Sequence, residues 1–279
     1  CIQIKIKNFN FKKNNFKKLN YYTDDQNSIF TFVYKSYNSI GILRQNSKDI
    51  LNKLLVDEYL FKLLNLDYEI ISIFSHTRWA SVGKINQANT HPIADKKFKL
   101  KNDRYSFTAV NGDIYNYKEI IDINKNQIKY INTKCEADSL ALSIQISNIL
   151  DFKNIKKQSE LIKELEGSFC SCSVSDKLPG NIFLVRSGQQ GLYIGNSIDR
   201  YYFSSDVYGL VEESNKFYKV DGNCFFTLPT NSFNKLEIVI NNDNNIKIRN
   251  IDKFRDIEVS LSDIFLGKRL QYGFDKNSK

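Results

Sequence analysis

A chain of 279 residues with 42% apolar side chains suffices for one large domain or two small ones, each with a core of its own. No apolar run reaches the roughly 18–20 residues of a membrane span, and the first residues alternate instead of forming the apolar block of a secretory signal. The net charge of +9 is scattered among many Asn, Ile, Phe and Tyr residues rather than gathered in a stripe, which weighs against nucleic acid as a partner.

In chain order, residues 1–7 set Ile2, Ile4 and Ile6 against Gln3, Lys5 and Lys7, the period of a half-buried strand. FKKNNFKKLN reads as a short helix with Phe11, Phe16 and Leu19 inward, and SIFTFVY as a second strand. A helix is expected from about Lys48 to Asn65; it is apolar on more than one side, as a helix between layers or at an interface would be. EIISIFS is a buried-strand pattern that ends at HTRWA. YSFTAV is a strand that Asn111-Gly112 stops, with DIYNYKEI opening a helix after it. QIKYIN is a strand leading into a helix from about Glu136 to Leu150, whose stripe Ala137, Leu140, Ala141, Ile144 has helical spacing. KQSELIKEL is a shorter helix. FCSCSV, NIFLVR, LYIGN, YYFSS, FYKV, CFFTL and LEIVI follow as strands. Early helices and a strand-rich second half predict sheets packed on sheets with helices outside, an α+β arrangement. With three prolines, twelve glycines and no linker-like stretch, one domain over residues 1–250 is expected, followed by a tail at 251–279.

The five cysteines, at 1, 135, 170, 172 and 224, are odd in number and fit neither a disulfide framework nor a zinc spacing. They point to a reducing, cytoplasmic setting, and no metal or other cofactor is expected. Cys170 and Cys172 sit two apart in a strand, so both face one side. Cys1 carries a thiol and an α-amine on one residue; the amine, with an ordinary value of about 7.7–8.0, can take the thiol's proton, so the nucleophile brings its own base. The other reading is a first residue of no chemical consequence. Arg78 and Trp79, at a strand end, offer a carboxylate fork and a rigid wall, or a surface cation over a core ring. The Asn111 amide and the Gly112 N–H are suited to a developing oxyanion, or to a plain turn. Thr133-x-x-Glu136 fits a helix capping box, and Glu136 or Asp138 suits a substrate ammonium group.

Taken together, HTRWA, Gly83, NTHP, AVNGDIYNYKEI, ELEGSFCSCSVSD and YYFSSDVYGLVEESNKFYKVDG resemble the class II glutamine amidotransferases over roughly residues 1–230. They are most similar to the glutaminase domain of glucosamine-6-phosphate synthase, with AVNGDIYNYKEI closer to asparagine synthetases. The resemblance implies a four-layer αββα sandwich of the N-terminal-nucleophile hydrolase type. It implies that Cys1 attacks L-glutamine, that its α-amine is the base, and that Asn111 and Gly112 form the oxyanion hole. It also implies that Arg78 binds the α-carboxylate, that Trp79 closes the site, and that Ser81, His91 and Glu136 line the pocket. The implied partner is an ammonia-accepting, sugar-isomerase-like domain or subunit, with a homo-oligomer as a further expectation. The alternatives are an asparagine-synthetase-like glutaminase and a scaffold or regulatory subunit that keeps the fold. Ile2 stands where the family has Gly, Glu136 where it has Asp, and Val82 where many members have His; YYTDDQNS poorly matches the Arg-Gly-x-x-Ser turn.

Overall fold

β1 (Ile2–Lys7) forms because its odd and even positions meet different environments, Ile4 and Ile6 being buried and Lys7 exposed. It lies inside a four-stranded antiparallel sheet ordered β2-β3-β1-β4, with β2 at Tyr21–Thr23, β3 at Asn27–Phe32 and β4 at Tyr68–Ile73. The computed structural model describes residues 1–7, 9, 21–23, 27–37, 42, 44–77, 83–97, 103–125, 131–150, 160–196, 201–206, 210, 216–220, 223–229, 237–242 and 245–249. The expected helix at FKKNNFKKLN and most of QIKYIN lie outside the described residues; Ile131 of the latter makes an isolated bridge to Lys96.

A seven-stranded sheet holds β5 (Ile93–Ala94), β6 (Ser106–Ile114), β7 (Gly167–Ser175), β8 (Asn181–Ser187), β12 (Asn223–Pro229), β13 (Glu237–Asn242) and β14 (Asn245–Arg249). Its order is β14-β13-β12-β8-β7-β6-β5. A three-stranded sheet of β9 (Tyr193–Asn196), β10 (Tyr201–Ser204) and β11 (Lys216–Lys219) runs in the order β10-β9-β11.

The buried clusters give the layer order. Cys1, Val33 and Phe74 from the first sheet pack against Phe107, Ala109, Cys170, Cys172, Val174 and Leu184 from the second, so the two sheets face each other. On the outer side of the first sheet, Ile4, Ile6, Phe30 and Phe32 pack against Leu60 and Leu63 of α2 (Glu58–Leu64). On the outer side of the second, Val110, Ile114, Phe169, Phe183 and Val185 meet Ile120 of α3 (Tyr117–Asn124) and Ala141, Leu142 and Ile146 of α4 (Ser139–Ile149). Each such side chain contributes roughly 1.5–3 kcal/mol when fully buried. The result is the expected four-layer αββα sandwich.

Three expectations need correction. The helix expected over 48–65 is two, α1 (Gln45–Leu55) and α2, because Asp57 leaves the helix and its carboxylate accepts the Tyr59 and Leu60 N–H groups as the cap of α2. β6 does not stop at Asn111-Gly112 but runs through to Ile114, paired with β7 throughout. The capping box at Thr133 and Glu136 is not used: α4 starts at Ser139, and Asp138 caps it by accepting the Ser139 N–H at 2.8 Å.

α4 is buried almost all round, so its polar residues need partners inside the protein. Ser143 donates to the carbonyls of Ile93 and Ser106, on β5 and β6. Below it, hydroxyl pairs Ser106–Ser175 at 2.9 Å and Thr108–Ser173 at 2.7 Å bridge β6 and β7.

Candidate active site

Cys1 opens β1 in the gap between the sheets, half-buried. Its α-amine donates to the Phe74 carbonyl at 2.8 Å, and the Phe74 N–H donates to the Cys1 carbonyl at 3.0 Å. β4 thus clamps the nucleophile's backbone while the thiol stays free of it. Burial disfavours the charged amine and lowers it to about 6, only partly countered by Cys172. At neutral pH the amine is therefore mostly unprotonated and able to accept a proton.

The opposing face is small. Ala109, Cys170 and Cys172 face Cys1 across the gap. Strand alternation puts Asn111 on this face, two residues beyond Ala109, and pairing aligns Asn111 with Cys170 and Cys170 with Arg186. Gly112 has φ 109°, and a Cβ there would lie 2.1 Å from the Ser168 carbonyl oxygen and 2.8 Å from the Phe169 Cα. Only glycine lets β6 lie this close to β7 at that point. The Asn-Gly pair is thus a close approach within a strand.

Glu136 is exposed just before α4. Its N–H donates to Asn89 Oδ1 at 2.7 Å, and Asn89 Nδ2 donates to the Lys84 carbonyl at 2.9 Å. Asn89 thereby ties the loop that begins at Gly83 to the start of α4; Gly83, at φ 80°, leaves no room for a Cβ beside the Asn89 amide. Asp138 is buried and accepts the Ile114 N–H at 2.8 Å, so it is a structural tie rather than a free carboxylate. The Asp138–Ile114 bond brings the Asn111-Gly112 end of β6 to the stretch carrying Glu136.

His91 is buried with both ring nitrogens engaged, Nδ1 2.9 Å from His76 Nδ1 and Nε2 2.8 Å from the Ser139 hydroxyl. Both nitrogens are thus taken up by His76 and Ser139. Arg78, Trp79 and Ser81 lie outside the described residues.

Sequence reasoning missed several members of the site. Phe74 acts through backbone hydrogen bonds that no residue pattern announces, and for Asp138, which the sequence offered only as a candidate for the ammonium group, nothing announced the tie to the Ile114 N–H. Asn89 stands inside NTHP beside His91, where a side-chain amide next to a motif histidine was the available signal. Arg186, buried in the row of Asn111 and Cys170, donates from Nε to the Gln190 carbonyl at 2.7 Å; a buried Arg in an otherwise apolar NIFLVR strand was the visible signal.

Four layers in this order, with Cys1 opening an inner strand of the sandwich, are the arrangement that the resemblance to the N-terminal-nucleophile hydrolase type implies. Residues 86–212 match the glutamine amidotransferase domain family. The chain is 26% identical over 196 residues to the glutamine–fructose-6-phosphate aminotransferase of Francisella tularensis, covering 67% of this chain and 30% of that one. It is 31% identical over 132 residues to that of Campylobacter jejuni, covering 47% and 20%. A glutamine phosphoribosylpyrophosphate amidotransferase from B. subtilis aligns in structure with a TM-score of 0.42 and 17% identity, covering 63% of this chain and 34% of that one. The chain is thus similar, over residues 86–212, to glutamine amidotransferase domains and, over about two thirds of its length, to glutamine–fructose-6-phosphate aminotransferases. It spans about 30% of the length of the first of these relatives.

Proposed function

We propose that this chain hydrolyses L-glutamine to glutamate and ammonia through a Cys1 thioester. The Cys1 α-amine takes the thiol's proton as the sulfur attacks the side-chain amide carbon, then gives it to the departing ammonia. The Asn111 amide and Gly112 N–H stabilise the oxyanion; one such donor is worth about 2.7–4 kcal/mol in related chemistry. Water then hydrolyses the thioester. Arg78, with Trp79 and Ser81, receives the α-carboxylate, and Glu136 the α-ammonium group. The ammonia passes to an acceptor, a sugar phosphate, held by another domain or subunit.

The observation that carries this reading is the desolvated α-amine, lowered to about 6 by burial, on the same residue as a thiol that faces β6 and β7. The test is glutamate release by the intact protein and by Cys1→Ala. Turnover should vanish in the variant, and intact mass should show that the working enzyme begins at Cys1. Equal turnover in the variant would end the proposal.

A further inference from the structure

Cys1 does not face an inert wall. Cys1, Cys170 and Cys172 are free thiols, and Cys170 and Cys172 belong to the cluster that Cys1 packs against. They are two apart on β7, so both side chains point into the gap between the sheets. Of the two, Cys172 is the one whose charge is felt at the Cys1 α-amine, and the amine acts on Cys172 in return. Catalysis uses Cys1 alone and assigns no task to Cys172.

The approach is physically open. Stacked sheets lie about 10 Å apart, whereas a disulfide needs Cα atoms roughly 4.4–6.8 Å apart. Here Ala109, Cys170 and Cys172 present only small side chains to Cys1. Cys1 is also a chain end, joined to β4 by its two hydrogen bonds with Phe74. Forming the disulfide exchanges the amine–Phe74 bond for a sulfur–sulfur bond.

We propose that Cys172 is the resolving thiol for Cys1, so that peroxide converts the site to a reversible Cys1–Cys172 disulfide. The Cys1 thiolate attacks hydrogen peroxide and the O–O bond breaks. This leaves Cys1 sulfenic acid and a hydroxide that picks up a proton to become water. The Cys172 thiol then attacks the sulfenic sulfur. The S–S bond forms, the S–OH bond breaks, and the Cys172 proton leaves with the hydroxide as a second water. Two thiols lose two electrons and two protons, and one peroxide becomes two waters. Burial keeps Cys172 protonated, well above the usual thiol range, so it waits as a thiol and does not compete with Cys1 for peroxide. The neutral α-amine beside it can receive the Cys172 proton. Without a resolving partner the sulfenic acid would go on to the irreversible sulfinic state.

The inference rests on Cys1 being the reactive thiol, but its main readout does not depend on glutamine turnover. The full-length chain is treated with hydrogen peroxide at neutral pH, blocked with an alkylating agent, digested without reductant and mapped by mass. The expected result is a Cys1–Cys172 peptide two hydrogens lighter than its two thiol parts, with glutaminase activity lost and then regained on adding dithiothreitol. In Cys172→Ala and Cys172→Ser the linked peptide should be absent, Cys1 should carry two added oxygens, and dithiothreitol should not restore activity. Cys1 found only as sulfinic or sulfonic acid in the unsubstituted chain, Cys1 joined to Cys170, or full recovery in the Cys172 variants would each overturn the proposal. A linked peptide from a chain that never released glutamate would overturn glutamine hydrolysis and leave the thiol pairing standing.

Discussion

At Cys1 one atom's environment sets the pH behaviour of the whole reaction. Its amine works as a base only when neutral, and burial lowers it from its ordinary value to about 6. As pH rises through about 6 the proton leaves, so kcat/KM for glutamine should rise through that point and level above it. An ordinary α-amine would place the rise nearer 8. A pH–rate profile of the intact chain decides between them. One extra residue before Cys1 should abolish the rise along with turnover, because the amine would become an amide. On the facing sheet, Gly112 makes the sharper structural demand. In Gly112→Ala, positive φ alone costs about 1–3 kcal/mol. The added methyl also meets the rigid backbone carbonyl of Ser168, which cannot rotate aside. Thermal unfolding should fall by many degrees, and any folded fraction should lose glutaminase activity with the displaced Gly112 N–H. A variant with unchanged melting and turnover would show that β6 can move away from β7.

Among the elements, α2 depends on Asp57. Its Oδ1 accepts two N–H groups at the start of α2, and its Oδ2 accepts the Tyr34 hydroxyl at 2.9 Å. Asp57→Ala removes the cap and leaves Tyr34 without this acceptor. The expected loss is about 0.5–2 kcal/mol from the cap, read as a lower urea midpoint, while Asp57→Asn should keep most of it. This helix also shows how far the sequence could be read. The apolar content over 48–65 revealed helix, but not the break, because apolar residues continue across it on more than one side. The signal for the break was Asp57 followed by Glu58, a helix start hidden inside a helical pattern. At Asn111-Gly112 local chemistry favoured a turn, and a contact with β7, more than fifty residues on, overruled it. β1, β7 and β8 were read correctly as strands, although β7 and β8 are buried on both faces, against the first sheet on one side and the helices on the other. Candidate site residues could be named from the sequence wherever the chemistry lies in a residue type, as at Cys1, Asn111 and Gly112. They could not be named where position comes from long-range ties: Asn89 to Glu136, Asp138 to Ile114, His76 to His91.

Across the whole molecule, two buried carboxyls shape stability against pH. Asp95, on the β5 side of β6, accepts the Ser106 N–H at 3.0 Å. Asp176, after β7, accepts the Thr31 hydroxyl at 2.6 Å and the Tyr105 N–H at 3.2 Å, joining the two sheets. Burial raises each from the ordinary carboxylate range to about 6, against the pull of its hydrogen bonds. A group raised on folding binds its proton more tightly in the native state. Its contribution is complete below about 4, where both states are protonated, and is lost as pH climbs to about 6, where the native carboxyl must ionise inside the protein. These two residues therefore make stability fall between about pH 4 and 6. The Cys1 amine, lowered on folding, works oppositely and adds stability as pH rises from about 6 to 8. The predicted stability curve thus dips near pH 6, with the sandwich interior setting both flanks. Asp95→Asn removes one proton-binding site while keeping an oxygen for the Ser106 N–H. Urea unfolding of this variant at pH 4, 6 and 8 should show a shallower fall from 4 to 6 and an unchanged rise from 6 to 8. A fall as steep as in the unsubstituted chain would mean that Asp95 stays charged in the folded protein and that its burial is relieved by contacts other than a proton.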